Sequence, residues 1–500
     1  MTKPVLRFAA ESNPILTVRI KGNVCVCVPN DLTLMTTYIL LEQEDWFEDE
    51  IGFVRTLLQR GDRVIDIGAN YGVYTLTAAS TVGPEGKVWA FEPCTETSEF
   101  LRQSVHDNGF GNVEIVSTAL SDRQGCSYLS LSPNSELNAV TDVRDPAGRY
   151  EEIETDTLDR CMSQFGWSDI AFLKIDAEGK EESILKGAQT FLTVNSPLVM
   201  YEIKAGERIN RNLPTEFRSI GYDSYRLVPG LNALVPCDGT QEFDPYQLNL
   251  FACKHDRAQM LSDRGLLAMS HEPAQIPQGV FFTRTWTGSQ ELQEKLLSLW
   301  ATALPRMQAT ASGMKYLQAL DCYAAAQDHA RSVPERTGCL AKSFDLLTEV
   351  VRQPDSTFGR LLSFAHIAAD WGYRQFAVKA YQRLLDTIQR LGQVNMHEPL
   401  LLPVALDLNK ANQNDHKKWF TAYITQEFER LSAYSSYFTE CGRYHLVEGF
   451  KTLGYSSAEM ERRRQLIRMK CGLSKTVEPD TVLSVESSQN LNAHLWKITG

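Results

Sequence analysis

The first half of this 500-residue chain predicts an α/β fold built on a doubly wound parallel sheet. Apolar, β-branched runs alternate there with helix-length segments, which is the pattern of consecutive βαβ units. Two of the runs, FLKID and LVMYEI, are almost continuously apolar, as expected of strands that helices cover on both faces. The expected strands are residues 63–67, 87–91, 113–117, 170–175 and 197–203. A last apolar run, 247–253, is expected at an edge of the sheet.

Helices are expected between these strands. The helix-length segments are residues 73–81, 95–108 and 181–192. Ahead of the sheet, apolar runs at 16–20 and 24–28 flank Lys-Gly-Asn and predict a β-hairpin. Residues 32–59 then show helical spacing, and Gly61 is the expected end of that helix.

Composition and charge exclude several classes of protein. Hydrophobic residues make up 43% and charged residues 22% of the chain, which excludes a mostly disordered protein, a collagen-like fibre and a long coiled coil. No apolar run approaches the roughly 18 residues that a transmembrane segment needs. The net charge of −12 argues against nucleic acid as a partner. The eleven cysteines include no CxxC pair, so we predict no metal site, no disulfide scaffold and a cytoplasmic location.

After about residue 255 the chain shows helical spacing without strand-like runs. Residues 361–385 resemble one tetratricopeptide repeat, although simple helix packing explains the same small-residue pattern and no second copy follows. The basic block 461–470 is interpreted as a solvated helix face, with contact to an anionic partner as the alternative. The predicted organisation is a hairpin and helix at 1–60, an α/β domain at 61–255, a helical domain at 256–472 and a poorly ordered tail at 473–500.

The strongest local signal is the loop that follows the first strand of the sheet, within VIDIGANYGVYTL at residues 64–76. Its glycines allow a close backbone approach to a ligand, and the next helix presents free N–H groups. The spacing D-x-G-x-N-x-G departs from the G-x-G-x-x-G of dinucleotide sites. It favours a cofactor that carries a cation and a carboxylate, such as S-adenosylmethionine. The predicted cofactor-binding residues of this loop are Asp66, Gly68, Ala69, Asn70 and Gly72.

The next two strands add cofactor candidates. Glu92 ends the second strand, where an acid accepts hydrogen bonds from ribose hydroxyls in either a nicotinamide or a methyl-donor site. Ala119 and Leu120 follow the third strand and are flat and apolar enough to border an adenine. Asp122 is a further candidate, with a plain turn residue as the alternative.

Ionisable residues cluster where the fourth strand ends. Lys174, Asp176 and Glu178 alternate, so their side chains lean to one side of the emerging strand. Because such groups are costly unless paired, we predict a catalytic role, with Asp176 or Glu178 as the base and Lys174 as its partner. A salt-bridged strand end is the alternative. Glu202, at the end of the fifth strand, and Glu181 are predicted to contact the substrate, although Glu181 could equally stabilise a helix N-terminus.

These segments together resemble the FkbM family of S-adenosylmethionine-dependent methyltransferases. The motifs VIDIGANYGVYTL, WAFEP, TALSD, FLKIDAEGKEESILKGA and PLVMYEI follow the family's order, over roughly residues 42–254. The resemblance implies a class I fold with seven strands, one of them antiparallel, and methyl transfer to oxygen, often on a sugar or natural product. It assigns the cofactor loop, the ribose acid Glu92 and the fourth-strand motif to the residues named above. Ala177 and Lys180 differ at positions that vary in such motifs.

The sequence is compatible with three functions. The first is an O-methyltransferase acting on a hydroxyl of a glycan or related metabolite. The second is a helical-repeat interaction protein, which docks a protein partner through its second half and uses the α/β domain as a scaffold. The third is an NAD-type oxidoreductase, which Glu92 permits but Asn70 disfavours because it replaces the required glycine.

Overall fold

A computed structural model of the chain describes residues 8, 14–144, 148–205, 208–239, 242–270, 276–283, 290–353, 356–401, 416–478 and 480–497. The strands are β1 (Ile15–Ile20), β2 (Val24–Pro29), β3 (Arg63–Ile67), β4 (Lys87–Phe91), β5 (Val113–Val116), β6 (Ala119–Leu120), β7 (Gly125–Ser130), β8 (Ala139–Thr141), β9 (Tyr150–Asp156), β10 (Ile170–Ile175), β11 (Leu198–Glu202), β12 (Lys204–Ala205), β13 (Arg208–Ile209), β14 (Asp223–Val228), β15 (Ala233–Pro236) and β16 (Asn249–Cys253).

Helices of the α/β half are α1 (Met35–Gln43), α2 (Asp49–Leu57), α3 (Val73–Val82), α4 (Thr95–Asp107), α5 (Leu158–Phe165), α6 (Glu181–Lys186), α7 (Gln189–Asn195), α8 (Leu213–Ser219) and α9 (His255–Asp263). Helices of the second half are α10 (Val280–Thr283), α11 (Gln290–Gln308), α12 (Ala311–Ala326), α13 (Val333–Val351), α14 (Phe358–Trp371), α15 (Arg374–Leu391), α16 (His416–Ser432), α17 (Tyr444–Leu453) and α18 (Ala458–Lys470). Within the described residues, no helix is both long and apolar enough to cross a bilayer.

The central sheet has eight strands in the order β15, β14, β16, β11, β10, β3, β4, β5. The strands β5, β4, β3, β10 and β11 are parallel, and antiparallel pairs add β16, β14 and β15. The predicted mostly parallel α/β class is therefore confirmed. The strand order reverses between β3 and β10, and ligands of doubly wound sheets bind outside the strand ends at such a point.

Several elements differ from the sequence prediction. The run at 247–253 was expected at a sheet edge, but β16 lies between β11 and β14 because the β14–β15 hairpin pairs beyond it. The same hairpin makes the sheet one strand wider than the resemblance implied. The predicted helices at 32–59 and 181–192 are each split in two. A second sheet of β6, β9, β7 and β8 was missed, because most residues of β7, β8 and β9 are half-buried or exposed, which weakens the alternation of apolar residues.

Two apolar cores cover the faces of the central sheet. Successive residues of β3 alternate between them, with Val64 in one core and Ile65 in the other. A third core fills the helical half and includes Val228 and Leu231 of the α/β half. The two halves therefore share buried apolar surface.

The α14–α15 turn contacts the α/β half directly. Gly372 ends α14 with a φ of +89°, which agrees with the glycine expected between two packed helices. The guanidinium of Arg226 donates to the carbonyl of Trp371 at 2.7 Å and lies 4.4 Å from the centre of its ring. A tetratricopeptide-like arrangement of this half stays a prediction.

The basic block of α18 is buried, so its interpretation as a solvated helix face is wrong. Arg462, Arg463 and Arg464 have exposed fractions of 2%, 0% and 1%. Arg463 lies 3.1 Å from a carboxylate oxygen of Glu42 in α1 and donates to the carbonyl of Glu429 in α16 at 2.9 Å. These ion pairs join the first helix of the chain to two helices near its end.

The last residues pack on the N-terminal hairpin. The tail 473–500 was predicted to be poorly ordered, but in its described part Trp496 is buried against the ring of Phe8 at 4.8 Å. The side chain of Asn492 bonds to both backbone groups of Arg19, and Glu44 accepts from the Asn492 backbone N–H at 2.8 Å. The tail therefore covers the hairpin instead of extending from the helical half.

A disulfide joins Cys441 to Cys471, and the other nine cysteines are free. The sequence predicts no disulfide scaffold and does not reveal this pair, because two cysteines far apart in sequence leave no spacing signal. The bond connects the segment before α17 to the end of α18.

We expect Arg463→Met to lower the free energy of unfolding by about 3–5 kcal/mol, because it leaves Glu42 buried without its cation and leaves Glu429 with Arg443 alone. Urea unfolding followed by circular dichroism measures this loss. The control is Lys315→Met, which breaks an exposed ion pair with Glu349 and should cost less than about 1 kcal/mol. Similar losses in the two variants would contradict the importance of the buried pair.

Candidate functional site

The glycine loop connects β3 to α3 at the point where the strand order reverses. Gly68 and Gly72 have φ of +74° and +87°, in the left-handed region that favours glycine. A Cβ on Gly68 would lie 1.8 Å from the backbone oxygen of Asp176, and one on Gly72 would lie 2.2 Å from Cδ1 of Leu101. The loop therefore runs directly against the end of β10 and against α4.

Asp66 lies behind this loop and does not line the cavity in front of it. It is 2% exposed, and one carboxylate oxygen accepts from the hydroxyl of Thr75 at 2.6 Å. The other oxygen has no hydrogen-bond donor among the described residues and lies 3.6 Å from Nζ of Lys174. Asp66 therefore holds an unused acceptor close to the loop.

Glu92 follows β4 and lines the cavity, as the sequence predicts. It is 7% exposed and accepts from the backbone N–H groups of Asn70 at 2.8 Å and Cys94 at 2.9 Å. Burial raises the pKa of Glu92 to about 7, against the lowering effect of these two hydrogen bonds. Its carboxylate is therefore fixed beside the glycine loop.

Of the cofactor candidates after the third strand, two line the cavity and one does not. Ala119 and Leu120 form β6 and line the same cavity as Glu92. Asp122 is exposed, lies outside the cavity and accepts from the neighbouring hydroxyl of Ser121 at 3.3 Å. The structure therefore places Asp122 in a surface turn.

Three carboxyl groups meet at the ends of β10 and β11. Oxygens of Asp176, Glu178 and Glu202 lie within 4.8 Å of one another, and in the described part of the chain no other three acidic, histidine or cysteine side chains come close enough to share a cation. The ammonium of Lys174, 4% exposed, lies 2.9 Å from Asp176. We call Asp176, Glu178 and Glu202 the carboxyl cluster.

Burial and repulsion by neighbouring acids raise the pKa values of Glu178 and Glu202. Burial, followed by the charges of Asp176 and Glu181, raises the pKa of Glu178 to about 8. Burial and the charges of Asp176 and Glu178 raise the pKa of Glu202 far above its usual range. Burial alone would lower the pKa of Lys174, but the charges of Asp176 and Asp66 outweigh it and raise that pKa. At neutral pH, Glu178 and Glu202 are therefore mostly protonated.

Glu181 supports the turn that carries Glu178. It is 4% exposed and accepts from the backbone N–H groups of Ala177 at 3.2 Å and Gly179 at 3.1 Å. Glu178 itself has a φ of +48°, a conformation that costs energy for a residue with a side chain. Glu181 does not line the cavity, so the structure places it as a support for the turn.

The cavity in front of the loop has a volume of about 590 Å³, and the sequence motifs account for only part of its lining. Trp46, Phe47 and Glu48 enter it from the break between α1 and α2, and Tyr434 and Phe438 enter it from the helical half. No motif marks these residues, because long-range packing alone brings them to the site. Burial raises the pKa of Glu48 to about 6, and its carboxylate accepts from the hydroxyl of Tyr74 at 2.6 Å.

We expect Gly68→Ala to destabilise the fold more than a substitution that only changes φ. Gly61→Ala is the matched control, because Gly61 has a φ of +87° with nothing within 4 Å of an added Cβ and should cost about 1–2 kcal/mol. The loss of unfolding free energy in Gly68→Ala should exceed that of the control by about 1–3 kcal/mol, since the added Cβ meets the backbone oxygen of Asp176. Urea unfolding of both variants tests this, and equal losses would show that the close approach is absent.

The chain matches known methyltransferases over part of its length. Residues 66–223 match the family model described as the methyltransferase FkbM domain. The protein-L-isoaspartate O-methyltransferase of Ignicoccus hospitalis is 36% identical over 59 residues, which are 12% of this chain and 28% of that protein. The chain thus spans less than a third of the length of the curated relatives that it matches.

Two solved structures resemble parts of the chain. The methyltransferase FkbM of Methylobacillus flagellatus shares 16% identity over 39% of this chain and 45% of its own, with a TM-score of 0.27. A SAM-dependent O-methyltransferase of Thermotoga maritima shares 16% identity over 48% of this chain and 78% of its own, with a TM-score of 0.25. The family match covers the loop, Glu92 and all of the acids that meet at the strand ends. Residues 66–223 are therefore an S-adenosylmethionine-dependent methyltransferase domain that is similar to the FkbM domain.

Proposed function

We propose that this chain transfers the methyl group of S-adenosylmethionine to a hydroxyl of a glycan or related metabolite. The observation that carries the proposal is a single cavity lined both by the cofactor motif and by acids. Glu92 and the glycine loop line it together with Asp176, Glu178 and Glu202. A cofactor seated on the loop and an acceptor held by the acids would thus meet in one cavity.

The residues beside the loop fit S-adenosylmethionine. The cofactor carries an amino group. Asp66 does not line the cavity, so its buried oxygen without a hydrogen-bond donor would reach that group through a bridging water. Glu92 retains lone pairs for the two ribose hydroxyls, and Ala119 and Leu120 offer an apolar surface to the adenine. When bound, the cofactor supplies an electrophilic methyl group, and the chain has to position and activate the acceptor.

Glu178 is the base that the site supports best. Asp176 already accepts a charged hydrogen bond from Lys174 at 2.9 Å, which weakens it as a proton acceptor. Glu178 has a pKa of about 8, close to neutral pH, so its ionised form is a stronger base than an ordinary carboxylate. Glu178 would take the proton of the acceptor hydroxyl, and the mostly protonated Glu202 can donate a hydrogen bond to a second oxygen of the acceptor.

Location and partners complete the proposal. We assign the reaction to the cytoplasm, because nine of the eleven cysteines are free and only Cys441 and Cys471 are paired. The acceptor is a hydroxyl-bearing sugar or glycan precursor. Docking of a protein partner on the helical half is compatible with this activity. Incubation with methyl-labelled S-adenosylmethionine and extracts of the source organism tests the activity directly, and a chain that fails to bind S-adenosylmethionine would overturn it.

We expect affinity for S-adenosylhomocysteine to increase about tenfold between pH 6 and pH 8, because ribose hydroxyls need the ionised form of a carboxyl whose pKa is about 7. Isothermal titration calorimetry measures this dependence. Glu92→Gln should bind weakly at both pH values and lose the dependence. Glu114→Gln, an exposed change on β5, is the control and should behave as the wild type. An unchanged pH dependence in Glu92→Gln would contradict the role of Glu92.

We expect Glu178→Gln to lower kcat by about 10²–10⁴-fold while the affinity for S-adenosylhomocysteine stays the same. In the wild type, kcat/KM should increase with pH and level off above about 8, since only ionised Glu178 accepts the proton. Label transfer to an acceptor identified in the extracts gives both values. Asp122→Asn, outside the cavity, is the control. Full activity of Glu178→Gln together with an inactive Asp176→Asn would show that Asp176, and not Glu178, is the base.

A further inference from the structure

Five aromatic side chains from both halves of the chain form one contiguous surface of the cavity. We call them the aromatic wall. It consists of Trp46, Phe47, Tyr246, Tyr434 and Phe438. The ring of Phe47 lies 4.7 Å from Trp46, 5.0 Å from Tyr434 and 6.3 Å from Phe438, measured between centres. Tyr246 adds a contact with Tyr434 at 5.9 Å.

The aromatic wall faces open space instead of a core. Phe438 is 49% exposed, and the other four rings are half-buried. Glu178 and Glu202 line the same cavity, so a molecule in it meets apolar rings as well as carboxyl groups. Ring faces of this kind attract the polarised C–H groups of a ligand, whereas carboxyl groups bind its hydroxyls.

The segment that carries Tyr434 and Phe438 is held in place. The ammonium of Lys470 donates to the carbonyls of Ser436, Tyr437 and Thr439 at 3.2, 2.6 and 2.9 Å. The side chain of Gln43 donates to the carbonyl of Tyr434, and the hydroxyl of Tyr434 donates to the carbonyl of Tyr246 at 2.6 Å. A wall fixed before binding loses little conformational entropy when a ligand packs on it.

We infer that the helical half builds part of the acceptor site. A pyranose ring of the acceptor packs its C–H face on Tyr434 and Phe438, and its hydroxyls reach the carboxyl cluster. A ring with one apolar face and hydroxyls at its edge uses both surfaces at once. The second half of the chain then selects the acceptor, and the loop and Glu92 bind the cofactor. This inference rests on the proposed function.

Saturation-transfer NMR on the full chain with saturating S-adenosylhomocysteine tests the inference. The probes are the methyl glycosides of glucose, galactose, mannose and rhamnose, with the acyclic polyol mannitol as the comparison. We expect saturation of ring protons in at least one pyranoside and none in mannitol. Phe438→Ala and Tyr434→Ala should each lower the affinity for that pyranoside by about tenfold. Tyr434→Phe, which keeps the ring, should bind as the wild type does.

Phe376→Ala is the matched control, because Phe376 is a partly exposed aromatic of α15 outside the cavity. It should bind the pyranoside as the wild type does, and all variants should keep their affinity for S-adenosylhomocysteine. Since Phe438 is half-exposed, its removal tests the inference even if Tyr434→Ala fails to fold. Equal binding of mannitol, wild-type binding by Phe438→Ala, or no pyranoside binding beside normal S-adenosylhomocysteine binding would overturn the inference alone. Loss of S-adenosylhomocysteine binding by the wild type would overturn the proposed function with it.

Discussion

The carboxylate of Glu42 in α1 is the point on which the arrangement of the two halves depends. It has no exposed surface, lies 3.1 Å from the guanidinium of Arg463 in α18, and accepts from the backbone N–H of Ser436. A buried charge is tolerated only when it is paired and hydrogen-bonded, so α1, α18 and the segment around Ser436 can pack in few other ways. That segment also carries Tyr434 and Phe438, and one buried charge therefore fixes a wall of the cavity.

Both halves of the chain line the cavity for the same reason. The α/β half supplies the loop, Glu92 and the carboxyl cluster at the ends of parallel strands, where main-chain geometry concentrates ligand-binding groups. The helical half supplies apolar surface and shares a buried core with Val228 and Leu231. Removing the helical half would thus expose that core and open the cavity together, so a truncated chain does not isolate one effect from the other.

Local signals were sufficient to predict the parallel strands, the loop and Glu92, because each depends on residues that are neighbours in sequence. They could not place Glu181, whose acceptor role in the turn depends on backbone N–H groups that only the folded turn brings to it. Arg463 appeared as one of a run of basic residues, and its acidic partners come from α1 and α16. Tyr434 and Phe438 were missed for the same physical reason, since a pairing across the whole chain leaves no periodicity or spacing to detect.

Lys470 gives the segment at 436–439 an anchor that involves no side chain of that segment. Its ammonium binds three main-chain carbonyls, which remain in place whatever side chains the segment carries. Substitutions at Phe438 can therefore change the surface of the cavity without moving the chain that presents it. The cofactor loop lies in a different part of the sequence and is under separate constraint. With the acceptor site as proposed, single substitutions at Phe438 would change the acceptor while the methyl-donor site stays intact.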